Sequence, residues 1–218
     1  MTIYRLPSSI RAILFDIDGT LYSNPAYVRF QVDVLIEELA RVRGQSVQAV
    51  SAAIEKARAA IVSGRSSGGA TTSLGNAMLA LGIDIATSVE WRRRLIDPSR
   101  FLSPDLRLQE TLSMLPATLV AVTNNPRSVG EATLAALGIL DAFKCVVGLD
   151  DTMKSKPAPE PYLLAARHAE VDPENCVSVG DRYDVDLAVP LELGMGALLV
   201  AGVEDVYQLP AELFPGLT

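Results

Sequence analysis

Histidine, cysteine and tryptophan are scarce in this chain of 218 residues, which contains one His, two Cys and one Trp. The single histidine argues against His-rich zinc sites and leaves a Ser-His-Asp hydrolase with one candidate base. That residue, His168, lies in a segment with helical spacing, and we interpret it as structural. Cys145 and Cys176 form no Cys-x-x-Cys pair, so we expect buried free thiols rather than a disulfide or a metal site.

Long apolar runs and excess positive charge are also missing. No stretch approaches the roughly 18 apolar residues of a membrane-spanning helix, and residues 1–9 lack the features of a secretory signal. Nineteen basic and 26 acidic residues give a net charge of −7, which argues against nucleic acid and anionic membranes as partners. We therefore expect a soluble, cytoplasmic protein, in which a local cation could still bind a small anionic substrate.

A short apolar segment that ends in two carboxylates is the most informative part of the sequence. Ala12–Phe15 is typical of a strand buried on both faces, and Asp16 and Asp18 follow it. Side chains two residues apart in extended chain point to the same side, so these like charges repel each other and favour a bound divalent cation. A solvated turn at Asp18-Gly19 is the alternative for this pair alone.

Strands alternate with helices after residue 101, which predicts a parallel sheet with helices on both faces, an α/β fold. From residue 24 to 100 the pattern is helical throughout. We therefore predict a catalytic core formed by residues 1–23 and 101–218, with residues 24–100 as a small all-α insertion. The predicted strands are residues 12–15, 118–123, 143–147, 175–179 and 197–200.

Polar side chains follow three of the later strands as well. Thr123 and Asn124 precede a helix and together with its N-terminus form a candidate anion site, although an ordinary helix cap would look the same. Lys156 lies in a proline-stiffened loop, where a solvated lysine is the alternative. Asp181 and Asp186 follow the strand at 175–179 and suit a hard cation. Parallel strands bring such ends to one edge of the sheet, which predicts a phosphoryl-transfer pocket.

In this combination the residues resemble the haloacid dehalogenase-like hydrolase superfamily. The resemblance covers nearly the whole chain, since the helical insertion lies where that superfamily carries an alpha-helical cap. It implies a Rossmann-like sheet with strand order 3-2-1-4-5. The motifs that carry it are, in order, Asp16-Ile17-Asp18-Gly19-Thr20, Thr123, Lys156-Pro157, and Gly180-Asp181 with Asp186.

The resemblance implies a role for each of these residues. Asp16 would attack phosphorus and form an aspartyl-phosphate, and Asp18 would protonate the leaving oxygen and later activate water. Mg²⁺ would be held by Asp16, the main-chain carbonyl of Asp18, and Asp181. Thr123 would hydrogen-bond a phosphate oxygen. Asn124, which belongs to the candidate anion site and not to the motif, is a further candidate for substrate binding. Lys156 would neutralise the charge of Asp16 and of the transferring group. Asp186 would orient Lys156 or metal-bound water.

The cap would close over the pocket and contribute to substrate binding. Arg65, in the Gly/Ser-rich loop between cap helices, is the candidate for a second contact with an anionic group, and a solvated arginine is the alternative. The expected hinges are residues 21–25 and 98–104. We interpret residues 91–94, Trp-Arg-Arg-Arg, as an exposed helix face with Trp91 packed inward.

Asp18 favours phosphate esters over carbon–halogen bonds, because a halide leaving group needs no proton. The first hypothesis is therefore a Mg²⁺-dependent phosphatase acting on a small phosphorylated metabolite, as a monomer or homodimer. A phosphomutase of the same superfamily is the alternative within this chemistry. A phospho-accepting receiver domain has no place for the helical insertion, and a non-enzymatic binding protein would not need the complete set of acids.

Overall fold

The computed structural model describes residues 1–63 and 73–216. Within this part of the chain, one six-stranded mixed sheet has helices packed against both faces, as expected for the α/β class. The sheet order is β1-β6-β5-β2-β3-β4, and only the pairing of β1 with β6 is antiparallel. The strands are β1 (Thr2–Arg5), β2 (Ala12–Phe15), β3 (Thr118–Val122), β4 (Cys145–Val147), β5 (Cys176–Gly180) and β6 (Gly196–Leu199).

The helices of the described residues fall into two groups. Those of the insertion are α1 (Pro25–Arg43), α2 (Val47–Ser63), α3 (Leu74–Ala80) and α4 (Ile85–Leu95). Those that flank the sheet are α5 (Leu106–Ser113), α6 (Arg127–Ala136), α7 (Leu149–Thr152), α8 (Pro159–Ala169), α9 (Ala188–Glu192), α10 (Val203–Val206) and α11 (Leu209–Leu213). None of them is both long and apolar enough to cross a membrane.

The central strand β2 is buried on both faces, because alternate side chains enter different cores. Ile13 and Phe15 pack into the core on one face of the sheet, and Ala12 and Leu14 pack into the core on the other. All four residues are at most 1% exposed. This double burial explains why an unbroken apolar run, rather than an alternating one, forms the strand.

The strand order differs in detail from 3-2-1-4-5, because Thr2–Arg5 adds a strand that the sequence analysis did not predict. All four of its residues are exposed, so no hydrophobic alternation marks it. It pairs with β6, and the Tyr4 ring lies 4.9 Å from the Tyr183 ring. The five expected strands otherwise lie in the expected order, from β4 through β2 to β6.

Helices α1 to α4 form a hydrophobic core of their own, centred on Leu35, Leu39, Ile54, Met78 and Trp91. The two connections between these helices and the sheet lie side by side. Asn24 Nδ2 donates to the carbonyl of Phe101 at 2.9 Å, and the Phe101 ring lies 5.4 Å from that of Tyr27. The chain therefore enters and leaves the helical block at two neighbouring points.

Both cysteines are free thiols, and Cys176 is buried as expected, whereas Cys145 is half-buried. The connection between β5 and β6 begins with an unusual turn. A wide π-helical turn at Tyr183–Leu187 precedes α9, and this turn places Asp186 beneath the end of β5.

Truncation of Leu14 tests whether β2 lies at the centre of the sheet, since the Leu14 side chain is 1% exposed within the core. Leu14→Ala should lower the free energy of unfolding by about 2–5 kcal/mol, because it leaves a cavity in the close-packed sheet. Leu106→Ala is the matched control, because Leu106 is 74% exposed and its truncation should change stability little. Urea unfolding measures both, and equal effects would contradict the placement of β2 at the centre.

Candidate active site

Three carboxylates that are distant in sequence meet at the carboxyl edge of the sheet. Asp16 directly follows β2, and its amide donates to the carbonyl of Val179 in β5 at 2.9 Å. Asp181 follows β5, and Asp186 lies in the turn beyond it. One side-chain oxygen from each of these three acids lies within 4.8 Å of the others. The parallel register of β2 and β5 therefore creates the acidic cluster.

Lys156 is the counter-charge to this cluster and is 1% exposed. Its Nζ donates to Asp16 Oδ1 at 2.6 Å, to Asp186 Oδ1 at 2.7 Å and to the carbonyl of Val122 at 2.8 Å. Burial alone would lower the Lys156 pKa, but the charges of Asp16 and Asp186 outweigh it and raise that pKa. The ammonium group is therefore charged at neutral pH, with every N–H donor used.

The end of β3 fixes the backbone of Lys156 rather than leaving it on a free loop. Asn124 Oδ1 accepts a hydrogen bond from the Lys156 amide at 2.7 Å. Thr123 is buried, and its Oγ1 accepts a hydrogen bond from the amide of Asn125 at 3.0 Å. The predicted contacts of Thr123 and Asn124 with a phosphate oxygen remain predictions. The structure adds that Asn124 holds the loop that carries Lys156 in place.

Asp18 lies in a buried hydrogen-bond network that reaches into the helical block. Its Oδ1 accepts from the Tyr22 hydroxyl at 2.5 Å and from Gln31 Nε2 at 2.8 Å, and its Oδ2 accepts from Asn125 Nδ2 at 2.9 Å. Burial, and then the charge of Asp16, raise the pKa of the Asp18 carboxyl. Gln31 belongs to α1, so the helical insertion contributes directly to the environment of Asp18.

The carboxylate oxygens at this edge of the sheet are suitable ligands for a hard divalent cation. Asp181 Oδ1 is buried and has no hydrogen-bond partner within residues 1–63 and 73–216, and Arg182 Nε lies 3.5 Å from it. Burial, and then the charge of Asp16, raise the Asp181 pKa to about 7. A Cβ at position 19 would lie 2.6 Å from Asp181 Oδ2, so Gly19 leaves the room that this carboxylate occupies. Carboxylate oxygens crowded in this way suit Mg²⁺ or Ca²⁺ better than softer metals.

The composition of the cluster differs from the predicted ligand set of Asp16, Asp18 and Asp181. Asp186 joins Asp16 and Asp181 in it, although Asp186 Oδ1 already accepts from Lys156. A Cβ at position 180 would lie 2.4 Å from the Asp186 Cβ, so Gly180 allows this close approach. The predicted contribution of Asp18 is its main-chain carbonyl, which is separate from the carboxyl group described above.

A family model for haloacid dehalogenase-like hydrolases matches residues 10–194. The chain belongs to this family. The match begins before the first motif and extends beyond Asp186, so one family pattern includes all four motifs and the helical insertion. Members of the family generally use Mg²⁺, which agrees with the acidic cluster.

Relatives and solved structures agree with this membership. The phosphoglycolate phosphatase of Escherichia coli strain K12 is 27% identical, over 95% of this chain and 92% of that protein. A crystal structure of a HAD phosphatase from Thermococcus onnurineus has a TM-score of 0.58 and 25% identity, covering 88% of this chain and 86% of that one. The HAD hydrolase YfnB of Bacillus subtilis, solved with magnesium, has the same fold, with a TM-score of 0.59, 16% identity and coverage of 93% and 99%.

The interpretation of residues 91–94 as an exposed helix face is wrong for one of them. Trp91 is packed inward as expected, and Arg93 and Arg94 form ion pairs with Asp150 and Glu38. Arg92, however, is buried, with 7% of its surface exposed. Its position was detectable in principle, because it lies three and four residues after the buried Val89 and Ser88, on the same helical face.

Asn125 is a second site residue that the sequence analysis missed. Its Nδ2 donates to Asp18 Oδ2 and, at 2.7 Å, to Gln31 Oε1, and its Oδ1 accepts from Arg92 at 2.9 Å. No local pattern marks this role, because all three partners are distant in the chain. Arg65, the predicted cap contact, lies outside the described residues.

Lys156→Met should destabilise the metal-free protein by about 3–5 kcal/mol, because Asp16 and Asp186 would remain buried without their cation. Urea unfolding in EDTA measures this loss. Lys144→Met is the matched control, since Lys144 pairs with Glu170 on the exposed surface and its loss should change stability little. An equally small effect for Lys156→Met would contradict the role of Lys156 as the counter-charge.

Proposed function

We propose that this chain is a Mg²⁺-dependent phosphatase that hydrolyses a small phosphomonoester through an aspartyl-phosphate on Asp16. The observation that carries the proposal is the convergence of Asp16, Asp181 and Asp186 around the buried Lys156 ammonium group. Such a site combines a carboxylate nucleophile with fixed positive charge, and phosphoryl transfer depends on positioning and charge neutralisation of this kind.

Asp16 is positioned to act as the nucleophile. Lys156 orients its Oδ1, and Thr20 Oγ1 donates to its Oδ2 at 3.2 Å, so both carboxylate oxygens are held. Attack on phosphorus forms an Asp16–phosphate bond and breaks the bond between phosphorus and the leaving oxygen. Lys156 remains bound to Asp16 and balances negative charge on the transferring group.

Asp18 is the proposed acid and base. Its raised pKa favours a protonated carboxyl group, which would donate its proton to the leaving oxygen. In the second step, water attacks the aspartyl-phosphate, Asp18 takes a proton from this water, and inorganic phosphate and free Asp16 are produced. The contacts from Gln31 and Asn125 would hold the Asp18 carboxyl group in place through both steps.

The bound Mg²⁺ would neutralise charge on the phosphate and polarise it. Asp16, Asp181 and the main-chain carbonyl of Asp18 are the proposed ligands. Asp181 Oδ1, which has no hydrogen-bond partner among the described residues, supports the choice of Asp181. Asp186 is proposed to position Lys156, since its Oδ1 is bound to that side chain.

Residues 24–100 are proposed to act as a cap over a core formed by residues 1–23 and 101–218. Two observations support this division: helices α1 to α4 have a separate hydrophobic core, and Gln31 and Arg92 extend from them to the site. A cavity of about 130 Å³ lies between the helical block and the sheet edge, and it is smaller than typical sites for drug-sized ligands. This volume favours a small metabolite, and the E. coli relative makes 2-phosphoglycolate the first substrate to assay.

Phosphate release from a panel of phosphomonoesters, run with Mg²⁺ and with EDTA, tests the reaction. We expect release only with Mg²⁺, and a loss of at least about 10³-fold in kcat for Asp16→Asn, which removes the nucleophile. Asp141→Asn, at an exposed acid outside the cluster, is the matched control and should retain activity. Full activity of Asp16→Asn would contradict the mechanism, and turnover that requires a bisphosphate activator without net phosphate release would instead indicate a mutase.

Thermal unfolding with Mg²⁺ tests the metal site without turnover. Free Mg²⁺ at a hundred times its Kd should stabilise the folded protein by about 2.7 kcal/mol, or roughly 5–10 °C in Tm. Asp181→Asn should abolish most of this shift, because it replaces a proposed carboxylate ligand by a neutral amide. Asp141→Asn should keep the shift. An unchanged shift in Asp181→Asn would exclude Asp181 as a ligand.

A further inference from the structure

Arg92 is a buried cation whose hydrogen-bond partners are neutral side chains. Its guanidinium donates from Nη1 to Asn125 Oδ1 at 2.9 Å and from Nε to Ser88 Oγ at 3.3 Å. Within the described residues, no carboxylate lies within the 4.0 Å of an ion pair with it. Burial lowers the Arg92 pKa to about 10 although the charge of Asp18 partly opposes this, and the group is still charged at neutral pH. A buried charge of this kind is costly unless an anion compensates it.

The remaining amino group of Arg92 lies beside Gly75. Its nitrogen, Nη2, is 3.9 Å from the position that a Cβ at Gly75 would occupy, and it makes no hydrogen bond within the part of the chain that the structure describes. Both residues line the cavity between the helical block and the sheet edge, together with Ser73, Ser155 and Arg182. The charged side chains that line this space are therefore two arginines and one acid, Asp18, in a chain of net charge −7.

The cavity is next to the reaction centre. Asn125 accepts a hydrogen bond from Arg92 through its oxygen and donates one to Asp18 through its nitrogen. One amide group therefore separates the Arg92 cation from the proposed acid at the leaving oxygen. Asp18 and Arg92 line the same cavity, so a group that faces Arg92 lies on the leaving-group side of the substrate.

We propose that Arg92 binds a second anionic group on the leaving-group side of the substrate and so selects short phosphomonoesters that carry a carboxylate or a further phosphate. The inference rests on the proposed phosphatase function. A guanidinium binds either anion through two parallel hydrogen bonds from two of its nitrogens, here Nη2 and the second hydrogen of Nη1. Arg92 is then a specificity residue, while Asp16 and Asp18 carry the chemistry.

Matched pairs of substrates test this selection on the unmodified protein. One pair is 2-phosphoglycolate and its amide, in which the carboxylate is replaced by a neutral group. The other pair is ethylene glycol bisphosphate and 2-hydroxyethyl phosphate. The first pair tests recognition of a carboxylate, and the second tests recognition of a second phosphate. For at least one pair, kcat/KM should be about 10- to 150-fold higher for the more anionic member, as expected for a hydrogen bond between charged groups.

Substitution of Arg92 should remove this discrimination. In Arg92→Gln the ratio of kcat/KM within the preferred pair should fall to near one, mainly through a higher KM for the anionic member. Arg92→Lys keeps the charge without the planar fork and should retain part of the ratio. Arg93→Gln, on the same helix but in an exposed ion pair with Asp150, is the matched control and should keep the wild-type ratio. Thermal unfolding verifies that each variant is folded.

Three outcomes would overturn the inference. The wild type could show no preference within either pair while it hydrolyses 4-nitrophenyl phosphate, which would leave the phosphatase proposal intact. Arg92→Gln could lower kcat equally for both members of the preferred pair, which would make Arg92 a positioning residue that acts through Asn125. No turnover of any phosphomonoester with Mg²⁺ would overturn the phosphatase proposal and this inference together.

Discussion

The buried ammonium group of Lys156 is the interaction on which the site depends. Without it, Asp16 and Asp186 would be two like charges that share a space closed to solvent. With it, the side chains of both acids contact a cation, next to a third acid, Asp181. The same contact orients Asp16 and draws together the ends of β2, β3 and the turn after β5. Stability and proposed reactivity therefore depend on one cation.

Much of the fold follows from local sequence patterns, because β2 and the later strands are buried on both faces and read as short apolar runs. The positions of Asp16, Thr123 and Asp181 follow from a general rule, since side chains after parallel strands meet at one sheet edge. The β1 strand does not follow, because its four exposed residues carry no alternation and its position depends on pairing with β6.

The contacts of Arg92 and Asn125 were not predicted from the sequence. An arginine in a run of three is ordinarily solvated, and only the packing of α4 against the sheet edge makes Arg92 different from Arg93. Asn125 gains its role from partners in α1, in α4 and after β2, and no spacing in the chain encodes these contacts. Both residues lie where the helical block meets the core, so tertiary packing decides their function.

A crystal structure of the protein grown with Mn²⁺ in place of Mg²⁺ tests the central claim most directly, because anomalous scattering locates the ion. We expect one ion at the carboxyl edge of the sheet, bound by Asp16 and Asp181, with Lys156 Nζ still bound to Asp16. An ion elsewhere in the molecule, or Lys156 turned away from both Asp16 and Asp186, would contradict this expectation.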